Sequence, residues 1–325
     1  PLTSDQVVFN SQYTSVTFYN ISNSKTVSLV NGSFIKSGIQ SKAKVLKKSN
    51  ILDISLSKYE GSGSDANSSR NDGLTYNRYY GLRVQDEEIC LRNPDVSKII
   101  AIYEEVSNGI IFDKLTFSST YGIQSNAIIG ENIIGESSRS VARIVGKSAN
   151  TVEFVYLNGS KFALGEVIKF EDSNINAELE SITFGSYKNV TSGFRLNKGQ
   201  KDEYYDYSSI VRNKNYPEPS RKLKVVYDYY NISSQDNGDV YTVSSYTEEN
   251  YGFDVPRIGK YNIRASDILD FRPRVSEFTG SSSSPFDYAS RTFSTSLKVF
   301  PTPNEASLIS YNVYLPRIDT LYLDY

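Results

Sequence analysis

The chain has 325 residues, with 35 Lys and Arg against 37 Asp and Glu for a formal net charge of -2. That balance gives no reason for nucleic acid or an anionic membrane as the main partner. Histidine is absent, which removes Ser-His-Asp and Cys-His machinery, His-ligated zinc and the usual general base near neutral pH.

The length suggests two or three domains, and 26 Tyr and 16 Phe supply large side chains that favour pleated surfaces. Cys90 stands alone, so no internal disulfide and no Cys-rich metal site form; within Glu88-Ile-Cys-Leu91 it reads as a small buried hydrophobe. No apolar run reaches the roughly 18 residues needed to span a bilayer. No signal peptide is evident at the start. With no methionine, an opening on Pro1 and a strand-like close at Tyr325, the chain reads as a section of a longer polypeptide.

Residues 1 to about 60 alternate apolar and polar positions, as in Val16-Thr-Phe-Tyr19 and Ile51-Leu-Asp-Ile-Ser-Leu56, and Asn31-Gly32 signals a tight turn. Residues 61–73 are too poor in apolar side chains to pack and read as a mobile loop. Over residues 96–105, periodicity does not settle helix or strand, although Ile99, Ile100 and Ile102 argue for a strand.

An internal repeat follows. Gly130-Glu131-x-Ile133-x-x-Glu136-x-Ser138-x-x-x-Ala142 returns 35 residues later as Gly165-Glu166-x-Ile168-x-x-Glu171-x-Ser173-x-x-x-Ala177. Each unit reads as a Gly-turned strand, a polar turn and a second strand. Two units sharing one core make a small barrel. Because Glu is mostly exposed in proteins, these glutamates read as solvated turn residues.

Past residue 186 the texture changes. Leu223-Lys-Val-Val-Tyr-Asp-Tyr-Tyr230 alternates as a strand, and Asp236-Asn-Gly-Asp239 is a turn without EF-hand spacing. The densest chemistry lies in Asp267-Ile-Leu-Asp-Phe-Arg-Pro-Arg-Val275, echoed by Leu315-Pro-Arg-Ile-Asp319. Proline imposes extended backbone on its predecessor and donates no N–H, so these read as strand starts or edges beside fixed ion pairs. Asp267, Asp270, Arg272, Arg274, Arg317 and Asp319 are therefore assigned to a structural ion-pair clasp. Tyr204-Tyr205 and Tyr229-Tyr230 place one ring on each face of a strand, one towards a core and one towards a rim, and all four are candidate interface aromatics.

An enzyme built here would need carboxylates such as Asp202, Glu203, Asp206, Asp228, Asp239, Asp267 and Asp270, and a sequence shows no two of them facing one another. No phosphate-cradling glycine motif is present. No catalytic residue, metal ligand or cofactor is assigned.

The order Ser192-Gly-Phe-Arg-Leu-Asn-Lys-Gly-Gln-Lys-Asp-Glu-Tyr-Tyr-Asp206, then Lys222 to Tyr230, Gly238-Asp-Val-Tyr-Thr-Val-Ser-Ser-Tyr246, Asp267 to Val275 and Tyr314-Leu-Pro-Arg-Ile-Asp319 resembles large virion structural proteins of contractile-tailed, T4-like phages, especially those infecting cyanobacteria. The resemblance covers about residues 75 to 325 and is strongest after 190. It implies a non-enzymatic assembly protein of the baseplate periphery or tail-fibre attachment region. Its implied partners are other tail, baseplate and fibre proteins and copies of itself, and its implied place is the virion; the charge balance adds neither nucleic acid nor membrane to the expected partners. The alternative reading is a receptor module that binds or cleaves glycans.

The expected fold is mainly β, with several small antiparallel domains, sandwich- or barrel-like, in series and few short helices. The expected divisions are 1–125, 126–185 as the duplicated barrel, and 186–325.

Overall fold

The computed structural model describes residues 4–11, 16–20, 37–56, 80–107, 109–233, 236–246, 255–280, 285–286, 291–293 and 306–312. The chain is mainly β and divides into two compact units, residues 1–38 and 39–325. In the first, β1 (Val7–Phe9) pairs antiparallel with β2 (Val16–Phe18). The turn signal at Asn31-Gly32 and the polar loop at 61–73 lie outside the described residues.

The second unit continues with β3 (Val45–Ile54), β4 (Tyr80–Gly81), β5 (Glu88–Pro94), β6 (Val96–Glu104) and β7 (Asp113–Phe117). Then come β8 (Asn132–Gly135), β9 (Val141–Ser148), β10 (Thr151–Tyr156), β11 (Val167–Phe170) and β12 (Asn176–Thr183). Last are β13 (Lys188–Asn189), β14 (Phe194–Asn197), β15 (Tyr207–Arg212), β16 (Leu223–Asn231), β17 (Arg257–Ile258) and β18 (Ile263–Arg264). The ambiguous stretch after Asp95 is thus a strand, β6.

Two four-stranded sheets, β13-β6-β16-β3 and β14-β15-β5-β4, share one core. Ile54, Ile102, Leu223 and Val225 from the first meet Ile89, Leu91, Phe194 and Ile210 from the second. The expected divisions differ from this arrangement. Strands β3, β5 and β6, assigned to a first domain, pair with β16 and β15 of the third. Burying both apolar faces requires these distant segments together, and local patterning carries no mark of such long-range pairing.

The duplicated segment closes a six-stranded barrel in the order β10-β7-β12-β11-β8-β9, which also recruits β7 from before residue 126. Its two units are related by a pseudo-twofold that reaches fine detail. Gly130 N–H donates to Ile144 and Gly165 N–H to Leu179, at equivalent positions and 2.9 Å in each case. Each unit carries a bulge at the same place, Val145 in β9 and Glu180 in β12, where pairing skips one residue.

The repeat's first glutamates are buried rather than solvated, which corrects the expectation from composition. Glu131 of the first unit accepts from the Asp172 and Ser173 N–H groups of the second at 3.1 and 2.9 Å, and from the Ser173 hydroxyl. Glu166 returns the contact, accepting from the Ser137 and Ser138 N–H groups at 3.2 and 2.9 Å and from both hydroxyls. Each unit's carboxylate ties down the other unit's turn. Glu136 and Glu171 are the exposed pair of the motif.

The two outer faces of the barrel have diverged. Val145 and Val155 pack against Ala101, Tyr103 and Val226 of the neighbouring sheet, and Arg143 Nη1 reaches Asp228 at 3.3 Å. On the second unit, Glu178 and Glu180 stand where Arg143 and Val145 stand on the first, and both are exposed. Gly130 (φ +94°) sits against β3, where an added Cβ would lie 2.5 Å from Lys48 Cβ; at Gly165 nothing lies within 4 Å.

Candidate functional site: a caged lysine and a closed ring of ion pairs

The residues that converge most closely are drawn from six stretches of the second unit. Ser41 to Lys44 run beside 240–246, with Lys44 N–H donating to Ser245 O and Lys42 N–H to Val240 O, both at 2.8 Å. This approach needs Gly238, because a Cβ there would lie 2.6 Å from Lys42 Cα. Asp95 occupies the corner between β5 and β6, where the chain passes from one sheet to the other. Its φ of +61° is a left-handed conformation that Asp tolerates better than most residues. The segment from Asp270 to Val275 is pinned twice. Asp270 exchanges backbone hydrogen bonds with Tyr241, and Tyr205 exchanges them with Pro273 and Val275.

These elements deliver one ammonium group into a fully buried aromatic cage. Lys44 Nζ lies 4.3, 4.7, 5.0 and 5.9 Å from the ring centroids of Tyr205, Tyr241, Tyr246 and Tyr230. Its donors go to Asp95 Oδ2 at 2.7 Å, the Tyr246 hydroxyl at 3.0 Å and the Tyr205 hydroxyl at 3.2 Å. Lys44, Asp95, Tyr205 and Tyr241 are 0% exposed. Burial alone would lower the lysine's pKa; the attraction of the carboxylates, Asp95 foremost and then Asp270, outweighs it and holds the ammonium charged. Burial raises the Tyr241 and Tyr246 phenols, which therefore stay neutral beside it.

From the lysine, hydrogen bonds close a ring. Asp95 Oδ1 accepts from Gln200 Nε2 at 3.1 Å, and Gln200 Oε1 accepts from Arg272 Nη2 at 3.0 Å. Arg272 grips Asp270 through Nε and Nη2 at 3.0 and 2.9 Å, and its Nη1 donates to Lys201 O. Tyr205, whose hydroxyl accepts from Lys44, donates to Asp270 and completes the circuit. The Arg272 guanidinium also lies 4.1 Å above the Tyr205 ring. Two cations and two carboxylates are thus alternated and mutually satisfied, the condition under which buried charge is tolerated.

The structure divides the predicted clasp. Asp270 and Arg272 form its centre. Arg274 is buried but reaches a backbone carbonyl, Tyr230 O at 3.1 Å, and its Nε has no hydrogen-bond partner. Asp267 pairs with Arg264 at 2.9 Å outside the ring. Arg317 and Asp319 lie outside the described residues. Of the four tyrosines, Tyr205 and Tyr230 are cage walls with no exposed surface, so they are corrected from interface to core. Tyr204 and Tyr229 are half-buried, against Phe293 and Tyr227.

Sequence reasoning missed Lys44, Asp95, Gln200, Tyr241 and Tyr246. Other acidic candidates are also engaged: Asp206 holds Arg291 in a two-point pair at 2.7 and 2.8 Å, and Asp239 accepts from Gln40 N–H. Among the described residues, no group of three or more His, Cys, Asp and Glu side chains is placed to hold a metal ion. No known protein family, curated protein or solved structure matches this chain.

Proposed function

We propose that this chain is a non-catalytic structural component of a contractile phage tail, working in the baseplate or tail-fibre attachment region through protein–protein interfaces. The observation that carries the reading is the inward closure of its densest chemistry. Lys44 pairs with Asp95 and Arg272 with Asp270, Gln200 and Tyr205 link the two pairs, and four tyrosines enclose the lysine. A catalytic constellation keeps donors and acceptors aimed at a place where substrate charge develops. Here the strongest groups are used to hold the two sheets and the 270–275 segment in register. The motif order after residue 190 supports the tail assignment.

Quantitative mass spectrometry of purified virions and of isolated tails tests it. The chain is expected at a fixed stoichiometry with tail proteins in both preparations, and its absence from both would end the reading. A second reading, glycan recognition, draws on the cleft of about 380 Å³ bordered by Glu88, Asn197, Tyr204, Asp206, Tyr207 and Arg291. Polar groups beside aromatic rings suit a sugar. A glycan array and a reducing-sugar assay on the purified chain separate the two: binding without turnover favours the cleft, and silence in both favours assembly alone.

A further inference from the structure

The two sheets of the sandwich are open on the same side. Strand β14 is the outer strand of its sheet: β15 pairs along one edge, and no strand pairs with the other among the described residues. Across the core, β13 pairs with Tyr103 and Glu104 of β6, and Val190 N–H and the Thr191 hydroxyl take up the backbone of Ile102; among the described residues no strand pairs with the part of β6 before Ile102 on that side. Between the two edges runs a groove of about 290 Å³, with Ile99, Phe194 and Leu196 on its walls and Ser97, Lys98 and Arg195 at its border. Ser97 is 2% exposed, and its hydroxyl has no hydrogen-bond partner. A buried unpaired hydroxyl is a standing cost that an occupant with a polar group would remove.

We propose that this groove receives an extended segment of a partner protein as an added strand on β14, one in which apolar residues alternate with Asp or Glu. The alternation follows from strand geometry. An added strand places successive side chains on opposite faces, so one set lies beside Phe194 and Leu196 over the groove and the other beside Arg195 on the outer face. The first set must be apolar to fill the space above Ile99. The second must be acidic, because the Arg195 side chain is exposed and its guanidinium makes no ion pair or hydrogen bond within the described residues. The same arginine opposes pairing of two copies of this edge, which would bring like charges together. The partner's class rests on the assembly reading above, but the groove stands on its own geometry.

The test uses two capped octapeptides, one alternating Val and Glu and one alternating Val and Lys, titrated into the isotope-labelled chain at low salt and followed by amide NMR. The Glu peptide is expected to shift amides of 194–197 and 97–99, and to saturate at a concentration at least tenfold below its Lys twin. Arg195→Glu, at an exposed position that leaves the fold intact, is expected to reverse that preference. No perturbation at these amides, or equal binding of both peptides, overturns the proposal. The titration uses the isolated chain, so its failure leaves the tail assignment untouched, and absence of the chain from virions leaves the groove untouched.

Discussion

Lys44 Nζ and Asp95 Oδ2 lie 2.7 Å apart, and neither side chain has any exposed surface. One comes from the segment that leads into β3 and the other from the corner that links the two sheets, so this contact fixes how the sheets meet. Gln200 and Arg272 extend it to Asp270, and Tyr205 brings it back.

The two arginines of the 270–275 segment are expected to differ. Arg272→Ala strips Asp270 of a two-point partner and leaves a buried carboxylate, at a cost of roughly 3–5 kcal/mol. Arg274→Ala removes one bond to a carbonyl, at roughly 1–3 kcal/mol. Urea titrations of both variants check the order; equal costs would show that the ring is not the organising unit.

Much of the fold is legible in the sequence and much of the site is not. The 35-residue spacing of Gly-Glu is visible because both halves of the barrel obey the same local rules. The burial of Glu131 and Glu166 is hidden, because each acts on the other half's turn. Asp270 and Arg272 stand two residues apart and announce themselves. Lys44 lies 51 residues from Asp95, 161 from Tyr205 and 202 from Tyr246, and no local pattern marks a lysine whose partners are that remote.

The reciprocal clamp gives the barrel a stability test. Glu131→Ala strands the Asp172 and Ser173 N–H groups, and Glu166→Ala strands those of Ser137 and Ser138. Each variant is expected to lose roughly 2–4 kcal/mol, read from thermal or urea unfolding.

Glu166 also predicts acid sensitivity. Burial alone would raise its carboxyl, but hydrogen bonds from Ser138, Ala163 and Ser137 outweigh burial and hold it below the ordinary 4.5. A depressed folded-state pKa contributes stability that is present above 4.5 and is lost as pH falls through the folded value. Glu166→Gln is expected to lower stability at neutral pH and to flatten its decline below pH 4.5. An unchanged slope in acid titrations would contradict this.

The divergence of the barrel's outer faces makes a paired prediction. Val145→Glu places a charge against Ala101 and Val226 and is expected to cost roughly 3–5 kcal/mol. Glu180→Val at the equivalent bulge is exposed and is expected to stay within about 0.5 kcal/mol of the parent. Melting curves of the two variants decide it.

Burial pushes the Cys90 thiol up to about 12, so the folded chain is expected to resist thiol reagents at pH 8, and labelling is expected to track unfolding in urea. Rapid labelling of the folded chain would place Cys90 at an accessible site instead.

The most direct test of buried charge as architecture is a double-mutant cycle on Lys44 and Asp95. Lys44→Met alone is expected to cost roughly 3–5 kcal/mol, because Asp95 is left buried beside Gln200 only. In the combined Lys44→Met, Asp95→Asn variant the loss is expected to fall short of the summed single losses by about 2 kcal/mol or more. Additive losses, or single changes within about 0.5 kcal/mol of the parent, would mean that this pair does not hold the two sheets together.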